Sequence, residues 1–219
     1  MTENWNTSGL IIEGICGTGK TTLFHALLQC IRFVQKSFLS TIALSEHQTQ
    51  RVLEHKEREQ GLAPADNIAL LDQHVTYWES IHTRLEQMPW RQDNRTNMRM
   101  LYILERFHFT HVYHYRHMNW RDVQGIDARL AQLNCKLCLL TMSDTMMEQR
   151  IITSRDAGWR DYLKQYGETN DEIIEHYIAQ QELLRRLCEQ SQLDTLIIDT
   201  SESSIDTILP QVLDFWGAI

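Results

Sequence analysis

Five short apolar runs recur along the chain, and longer amphipathic stretches separate them. The runs lie at about residues 9–14, 38–44, 98–104, 135–142 and 195–199. Each is long enough for a buried strand and too short for a buried helix. Apolar residues at helical spacing between the runs predict helices over about 20–35, 67–88 and 107–133, a helix that opens at about Thr169, and a last helix that ends near Trp216. Strands that alternate with helices are typical of a three-layer α/β fold with a parallel sheet and helices on both faces.

Capping signals refine some of these boundaries. Ser45 and Gln48 have the spacing of a capping box, which opens a charged helix or ordered loop over residues 46–60. Thr169 and Glu172 have the same spacing at the start of a later helix. Asp66 is predicted to cap the helix over residues 67–88.

Other local signals predict breaks and loops. Pro89 is expected to end the helix before it, and residues 90–97 read as a polar loop. Gly125 is expected to interrupt the helical stretch over residues 107–133. Residues 155–169 lack helical periodicity and predict a mobile connection.

A phosphate-binding motif follows the first apolar run. Residues 14–21 read Gly-Ile-Cys-Gly-Thr-Gly-Lys-Thr, the P-loop pattern, between a predicted strand and a predicted helix. Backbone N–H groups of such a loop point at phosphate oxygens, and the following helix adds its positive end. We expect Lys20 to reach the phosphates and Thr21 to bind Mg²⁺. The predicted nucleotide-binding residues of the loop are Gly14, Ile15, Cys16, Gly17, Thr18, Gly19, Lys20, Thr21 and Thr22.

Charged residues follow two other strands, and ligands of parallel sheets bind beyond the carboxyl ends of the strands. Glu105 ends the third run and can hold Mg²⁺, while the adjacent Arg106 can clamp an acceptor. Glu46 follows the second run. It can take a proton from an attacking hydroxyl, or it is only a helix-start acid that the helix dipole favours.

A third group of charges lies on a predicted lid, at about residues 150–169. Arg150 lies on a helix that Ser143 is expected to cap, and Arg155 and Arg160 follow it. All three are placed to stabilise charge during phosphoryl transfer when the lid closes. The alternative is a solvated basic patch.

Composition narrows the class of protein. The chain has 219 residues, which suits a single domain over residues 1–219, with a net charge of −8. The acidic balance argues against a nucleic-acid polymer as partner. Five cysteines in no disulfide pattern and no membrane-length apolar run predict a cytoplasmic protein without membrane contact.

Several other residues invite a functional interpretation that the pattern does not favour. Histidines at 108, 111, 114 and 117 do not share one helix face, so a zinc site is not expected. Cys135 and Cys138 form a CxxC inside a predicted strand and are interpreted as buried thiols. Tyr77, Trp78 and Trp90 could stack on a base, but helical core is the preferred interpretation for each.

Together these residues resemble the thymidylate kinase and deoxynucleoside kinase group of P-loop kinases. Residues 12–22 are similar to the opening strand and P-loop of that group. Glu105-Arg106 resembles the Glu-Arg pair of deoxynucleoside kinases, at the place where thymidylate kinases have Asp-Arg. His47, Phe107 and the lack of an Asp in the P-loop depart from the usual patterns.

The resemblance implies a five-stranded sheet in the order 2-3-1-4-5 and roles for further residues. It implies a Mg²⁺ role for Glu105, acceptor binding by Arg106, and base catalysis by Glu46. It also implies that Arg150 and Arg155 are lid arginines. Thr200 and Ser201 are expected near the adenine.

The leading hypothesis is an ATP- and Mg²⁺-dependent kinase for a small acceptor, a nucleoside or nucleoside monophosphate. The alternatives are a regulatory NTPase that has no metabolite acceptor and a P-loop kinase for another hydroxyl compound. The sequence leaves the oligomeric state open, a homodimer included.

Overall fold

The computed structural model describes residues 7–34, 39–87 and 99–217. Five strands are β1 (Thr7–Glu13), β2 (Leu39–Leu44), β3 (Arg99–Glu105), β4 (Cys135–Thr141) and β5 (Asp194–Asp199). They form one parallel sheet in the order β2-β3-β1-β4-β5. The predicted α/β class and the predicted strand order are both confirmed.

Helices connect the strands. They are α1 (Lys20–Val34), α2 (Glu46–Thr49), α3 (Glu54–Gln60), α4 (Pro64–Glu86), α5 (His108–His114), α6 (Trp120–Gln132), α7 (Asp144–Met147), α8 (Ala157–Leu163), α9 (Asn170–Gln190) and α10 (Ile205–Trp216). A 3₁₀ turn at Arg51–Leu53 joins α2 to α3, and a π-helical turn at Glu148–Thr153 continues α7. Among the helices so described, none is long and apolar enough to cross a bilayer.

The central strand β1 is buried along its whole length, and its successive side chains point to opposite faces of the sheet. Leu10 and Ile12 of β1 pack with side chains of α1 and α10. Ile11, between them, packs on the other face with side chains of α4, α5, α6 and α9. The same alternation places Cys135 and Cys138 of β4 in different core layers, both buried. The interpretation of this CxxC as two buried thiols is confirmed.

Gly9 marks the closest approach within the sheet. It pairs with Tyr102 of β3, and a Cβ on Gly9 would lie 2.1 Å from the Tyr102 ring. The same ring stacks on Trp78 of α4, with 4.7 Å between the ring centroids. Trp78 is therefore core, as expected, whereas Tyr77 is 55% exposed and its predicted place in the core is wrong. Trp90 lies outside the described residues.

The helical stretch after β3 breaks at a different place from the predicted one. Gly125 lies inside α6, and the break spans Tyr115–Asn119. Asn119 caps α6 by accepting the Arg121 N–H at 3.0 Å, and the Asp122 side chain accepts the Asn119 N–H at 2.9 Å. This reciprocal cap fixes a new helix start, whereas a single glycine in a helix costs only about 1 kcal/mol.

Two of the predicted helix starts also differ. The Ser45 hydroxyl donates to Gln48 Oε1 at 2.8 Å and caps no backbone N–H, so α2 is a single turn without a capping box. Helix α4 begins at Pro64, a favourable first position for proline. Asp66 is three residues beyond the cap and accepts the Ala63 N–H at 3.0 Å.

The remaining expectations concern connections. The capping box at Thr169 and Glu172 is confirmed. Residues 155–169 contain a helix that the periodicity did not predict, since α8 occupies about half of them and Asp156 caps it by accepting the Trp159 N–H at 2.8 Å. Pro89 and the loop at residues 90–97 lie outside the described residues.

Candidate active site

Five loops meet at the carboxyl edge of the sheet. They hold the P-loop after β1, Ser45-Glu46 after β2, Glu105-Arg106 at the end of β3, Met142-Ser143 after β4 and Thr200-Ser201 after β5. Backbone contacts join neighbours. Arg106 N donates to Ile12 O at 2.9 Å, and Thr200 N donates to Thr141 O at 2.8 Å.

The P-loop passes between β4 and the π-helical turn, which crowd two of its glycines. Gly14 has φ 147°, and a Cβ there would lie 2.4 Å from Leu140 O. Gly17 has φ 81°, and its Cβ would lie 3.2 Å from Arg150 O. Both positions require glycine for conformation, and a Cβ would clash at Gly14 and be crowded at Gly17. Gly19 follows as an exposed turn residue with φ 88° at the start of α1.

Lys20 is folded back into this loop. Its side chain is 5% exposed, and Nζ donates to Ile15 O at 2.7 Å. The Thr18 hydroxyl donates to the same carbonyl at 2.9 Å. Burial, together with the positive charge of Arg106, lowers the pKa of Lys20 to about 7. An anion at the loop would restore the charge of this amine.

Thr21 and Glu105 face each other across the start of α1. The Thr21 hydroxyl donates to Glu105 Oε1 at 2.5 Å, and Glu105 is almost fully buried. A hydroxyl and a carboxylate are the hard oxygen ligands that Mg²⁺ takes alongside phosphate oxygens. These two residues therefore fit a Mg²⁺ ion. Thr22, the next residue of α1, is exposed.

Arg106 leaves β3 in the left-handed region, with φ 60°. That conformation is unfavourable for a residue with a Cβ, and such strain is concentrated at functional sites. Arg106 Nε donates to Glu46 Oε2 at 2.9 Å, and Nη1 donates to the Tyr113 hydroxyl. Arg51 also approaches Glu46, at 3.5 Å.

These contacts set the charge of Glu46. Burial by itself raises its pKa, but the charge and hydrogen bond of Arg106 outweigh burial, so the pKa of Glu46 lies below its ordinary value. Burial opposes the charge of Arg106 as well, yet Tyr113, Glu46 and Glu13 raise the pKa of Arg106 above its ordinary value. The pair is thus a guanidinium and a carboxylate at neutral pH.

Glu13 is a residue that the sequence analysis did not assign to the site. It is fully buried. Its carboxylate accepts the N–H of Phe107 at 2.8 Å, and the N–H and hydroxyl of Thr110 at 3.2 and 2.6 Å. It thereby ties the strand before the P-loop to the segment that follows Arg106. An acid at the end of an apolar strand, directly before Gly14, was the available signal.

The predicted lid arginines occupy different positions. Arg150 donates to Thr200 Oγ1, Thr200 O and Ser201 O at 3.1, 2.7 and 2.8 Å. The Arg155 guanidinium lies 3.7 Å from Cys16 Sγ of the P-loop and 5.2 Å from the Trp159 ring centroid. Arg160 is exposed on α8.

The structure thus gathers the predicted residues into two groups. One joins Lys20, Thr21 and Glu105 with Arg106, Glu46 and Arg155 around the P-loop. The other joins Arg150 to Thr200 and Ser201 at the β5 side. The first group combines cations with hard oxygen ligands, which is chemistry suited to phosphates and Mg²⁺. The second is a polar cluster at the end of β5.

Of the histidines at 108, 111, 114 and 117, His108 and His111 are fully buried behind this site. His108 Nε2 lies 3.0 Å from Asp127 Oδ1, and both side chains are fully buried. His111 contacts Thr49 O and the Asn67 side chain.

Comparison with known proteins identifies the fold. No protein-family model and no curated protein sequence matches the chain. Solved structures do. The YorR protein of Bacillus subtilis, in complex with phosphorylated GDP, is 14% identical with a TM-score of 0.58, over 94% of each chain.

Two thymidylate kinases are also similar in structure. The enzyme of Ehrlichia chaffeensis is 14% identical with a TM-score of 0.52, over 95% of this chain and 98% of that one. The enzyme of Candida albicans is 15% identical with a TM-score of 0.50, over 95% and 90%. The chain therefore has the fold of the P-loop nucleotide kinases of the thymidylate kinase group.

Proposed function

We propose that the protein is a phosphotransferase that moves the γ-phosphate of ATP to a nucleoside or nucleoside monophosphate. One observation carries the proposal. Thr21 of the P-loop bonds to Glu105, and the next residue, Arg106, holds Glu46. Groups suited to a triphosphate and groups suited to an acceptor therefore form one continuous site.

The donor side uses the P-loop. Its backbone N–H groups and the start of α1 bind the phosphates, and Lys20 adds a charge that phosphate stabilises. Thr21 and Glu105 would hold Mg²⁺, which offsets the negative charge of the phosphates. The adenine would lie on the β5 side, beside Thr200, Ser201 and Arg150. The resemblance implies this position.

The transfer forms a bond from the acceptor oxygen to the γ-phosphorus and breaks the bond from that phosphorus to the bridging oxygen of ADP. Negative charge spreads over the equatorial oxygens as this happens. Arg155 lies beside Cys16, so its guanidinium is in place to offset that charge. The segment at about residues 150–169 acts in this proposal as the lid of a domain that spans residues 1–219.

The acceptor side is formed by Arg106, Glu46 and Tyr113. A nucleoside hydroxyl would pass its proton to Glu46, whose lowered pKa keeps it ionised. A monophosphate would instead replace Glu46 as the hydrogen-bond partner of the Arg106 guanidinium. Both acceptors fit the charges of the site.

The test is a panel of nucleosides and nucleoside monophosphates with Mg²⁺-ATP, followed by ADP release and by identification of the phosphorylated product. A substrate should accelerate ADP release and leave with one more phosphate. A bound ligand at 100 times its Kd should also add about 2.7 kcal/mol to the free energy of unfolding. ATP hydrolysis that no acceptor accelerates would support a regulatory NTPase instead.

A further inference from the structure

A buried chain of hydrogen bonds lies directly behind the acceptor side of the site. His111 Nε2 lies 2.9 Å from Thr49 O. His111 Nδ1 lies 3.0 Å from Asn67 Nδ2, and Asn67 Oδ1 lies 2.9 Å from His117 Nε2. Thr49, Asn67 and His111 are fully buried. Water therefore cannot replace the two partners of His111, Thr49 and Asn67.

One arrangement of protons satisfies the whole chain. Thr49 O is a carbonyl and can only accept, so His111 Nε2 must carry a hydrogen. The amide nitrogen of Asn67 can only donate, so His111 Nδ1 must be the acceptor. Asn67 Oδ1 is then free to accept from His117 Nε2. His111 is thus a neutral imidazole in a single tautomer, which Asn67 selects.

The chain ends on groups that the proposed reaction uses. The Thr49 hydroxyl donates to Glu105 O at 2.9 Å. Thr49 is also the last residue of α2, whose first residue is Glu46. His111 therefore supports the element that carries Glu46 at the point where this element is bonded to β3.

We propose that neutral, Nε2-protonated His111 is a positioning residue that sets the place of Glu46 relative to Glu105 and Arg106, and that Asn67 enforces its tautomer. This inference rests on the proposed function, since it assigns His111 to the acceptor side of that same site. His111 does not touch the reacting atoms. It acts through Thr49.

The surroundings keep His111 neutral. Burial lowers its pKa to about 4, and the bond to Thr49 O opposes burial only in part. The titratable groups that face it, His74 of α4 with His108 and His114 of α5, act in the same direction as burial. Asn67 separates it from His117, which lies near Asp66. The single tautomer therefore persists across the pH range of an ordinary assay.

The first experiment compares His111→Phe with His111→Gln. Glutamine retains an N–H that can donate to Thr49 O, and phenylalanine does not. We expect His111→Phe to lower kcat about tenfold relative to His111→Gln, the equivalent of one hydrogen bond of about 1.4 kcal/mol. The Kd of Mg²⁺-ATP should be equal in both variants, because the P-loop is untouched. Equal kcat values in the two folded variants would overturn the proposal.

The second experiment changes which ring nitrogen of His111 must carry a proton. Asn67→Asp keeps the shape but offers only acceptors, so His111 Nδ1 must carry a proton to bond with it. The imidazolium then retains the bond to Thr49, and the neutral ring cannot satisfy both partners. Activity of Asn67→Asp relative to the wild type should therefore fall as pH rises through the raised pKa of His111. Gln73→Glu, on the exposed side of α4, adds the same charge and should leave the pH profile unchanged.

A readout without turnover separates this inference from the proposed function. In the wild type, ¹⁵N spectra of labelled histidine should show His111 protonated at Nε2 alone. In His111→Phe, an NMR titration should show that the pKa of the Glu46 carboxyl has risen toward its ordinary value, because α2 no longer holds Glu46 against Arg106. A wild type that transfers no phosphate would contradict the proposed function, and the Glu46 titration would still decide the role of His111. An unchanged Glu46 pKa or the other tautomer would overturn that role.

Discussion

The amine of Lys20 links the structure to a measurable proton balance. Its pKa of about 7 leaves it mostly neutral at pH 8. Phosphates at the loop favour the charged form, which returns the pKa toward the ordinary value of about 10.4. Binding of ATP at pH 8 should therefore take up close to one proton per site, and binding at pH 6 should take up far less through this group.

Calorimetry in buffers of different ionisation enthalpy measures this uptake. Lys20→Ala should abolish both the uptake at pH 8 and the turnover, with the fold retained in circular dichroism. Proton uptake that is equal in Lys20→Ala and the wild type would remove this lysine from phosphate binding.

Glu46 decides between the two classes of acceptor. Glu46→Gln keeps the shape and a hydrogen-bond acceptor for Arg106 but cannot take a proton. With a nucleoside hydroxyl, kcat should fall by roughly 10²–10⁴, the usual contribution of a positioned base. A phosphate acceptor is already largely ionised, since its second pKa is about 6, so the change should be small. The measurement is the rate per folded molecule, with Mg²⁺-ATP affinity as the control. It distinguishes both outcomes from a loss of stability caused by removal of the helix-start acid.

At the scale of the elements, the segment from the π-helical turn to the start of α8 contains two arginines with different contacts. Arg155 lies beside Cys16 of the P-loop, and its removal should lower kcat with little effect on the Kd of ATP. Arginines in this role contribute on the order of 10³–10⁵ in rate. Arg150 holds Thr200 and Ser201, so Arg150→Ala should weaken ATP binding more than it lowers kcat. Arg160→Ala, exposed on α8, is the matched control. Identical effects of the first two variants would contradict this division.

Elements whose signals are local were predictable from the sequence. The strands, the P-loop and the cap at Thr169 depend on residues a few positions apart. Glu13 and Thr110 are 97 positions apart, and Asn67 and His111 are 44 apart, so their bonds exist only once the sheet has formed. The strain at Arg106 likewise follows from its place between β3 and α5. The charged residues at the strand ends were therefore predictable from the sequence. The buried groups that hold those residues in place were not.

For the whole molecule, Asp127 of α6 is a buried anchor. It accepts hydrogen bonds from His108 at 3.0 Å, from the Ser191 hydroxyl at 2.6 Å and from Gln192 N at 2.7 Å. Asp127→Ala leaves these donors without a partner and should reduce the free energy of unfolding by about 3–5 kcal/mol. Urea denaturation measures the change, and Asp214→Ala, exposed on α10, should have almost none. A change as small as that control would contradict the role of Asp127 as an anchor.

The same group predicts how stability depends on pH. Burial acts to raise the pKa of Asp127, but its bonds from His108, Ser191 and Gln192 hold that pKa below the ordinary value. The stabilisation is therefore present above the pKa of an unfolded aspartate, about 3.9. It is lost as pH falls below that value and through the folded pKa. As pH falls through this range, the difference in the free energy of unfolding between wild-type protein and Asp127→Ala should therefore shrink, which urea denaturation at a series of pH values measures.

The close approach of Gly9, Tyr102 and Trp78 has an evolutionary consequence. The ring of Tyr102 fills the space above Gly9 and rests on Trp78, so none of the three can change size alone. In a lineage of this protein, a side chain at position 9 should arise only together with a smaller residue at position 102. Paired libraries at positions 9 and 102, selected for folded protein, should recover such combinations and reject the single change Gly9→Ala.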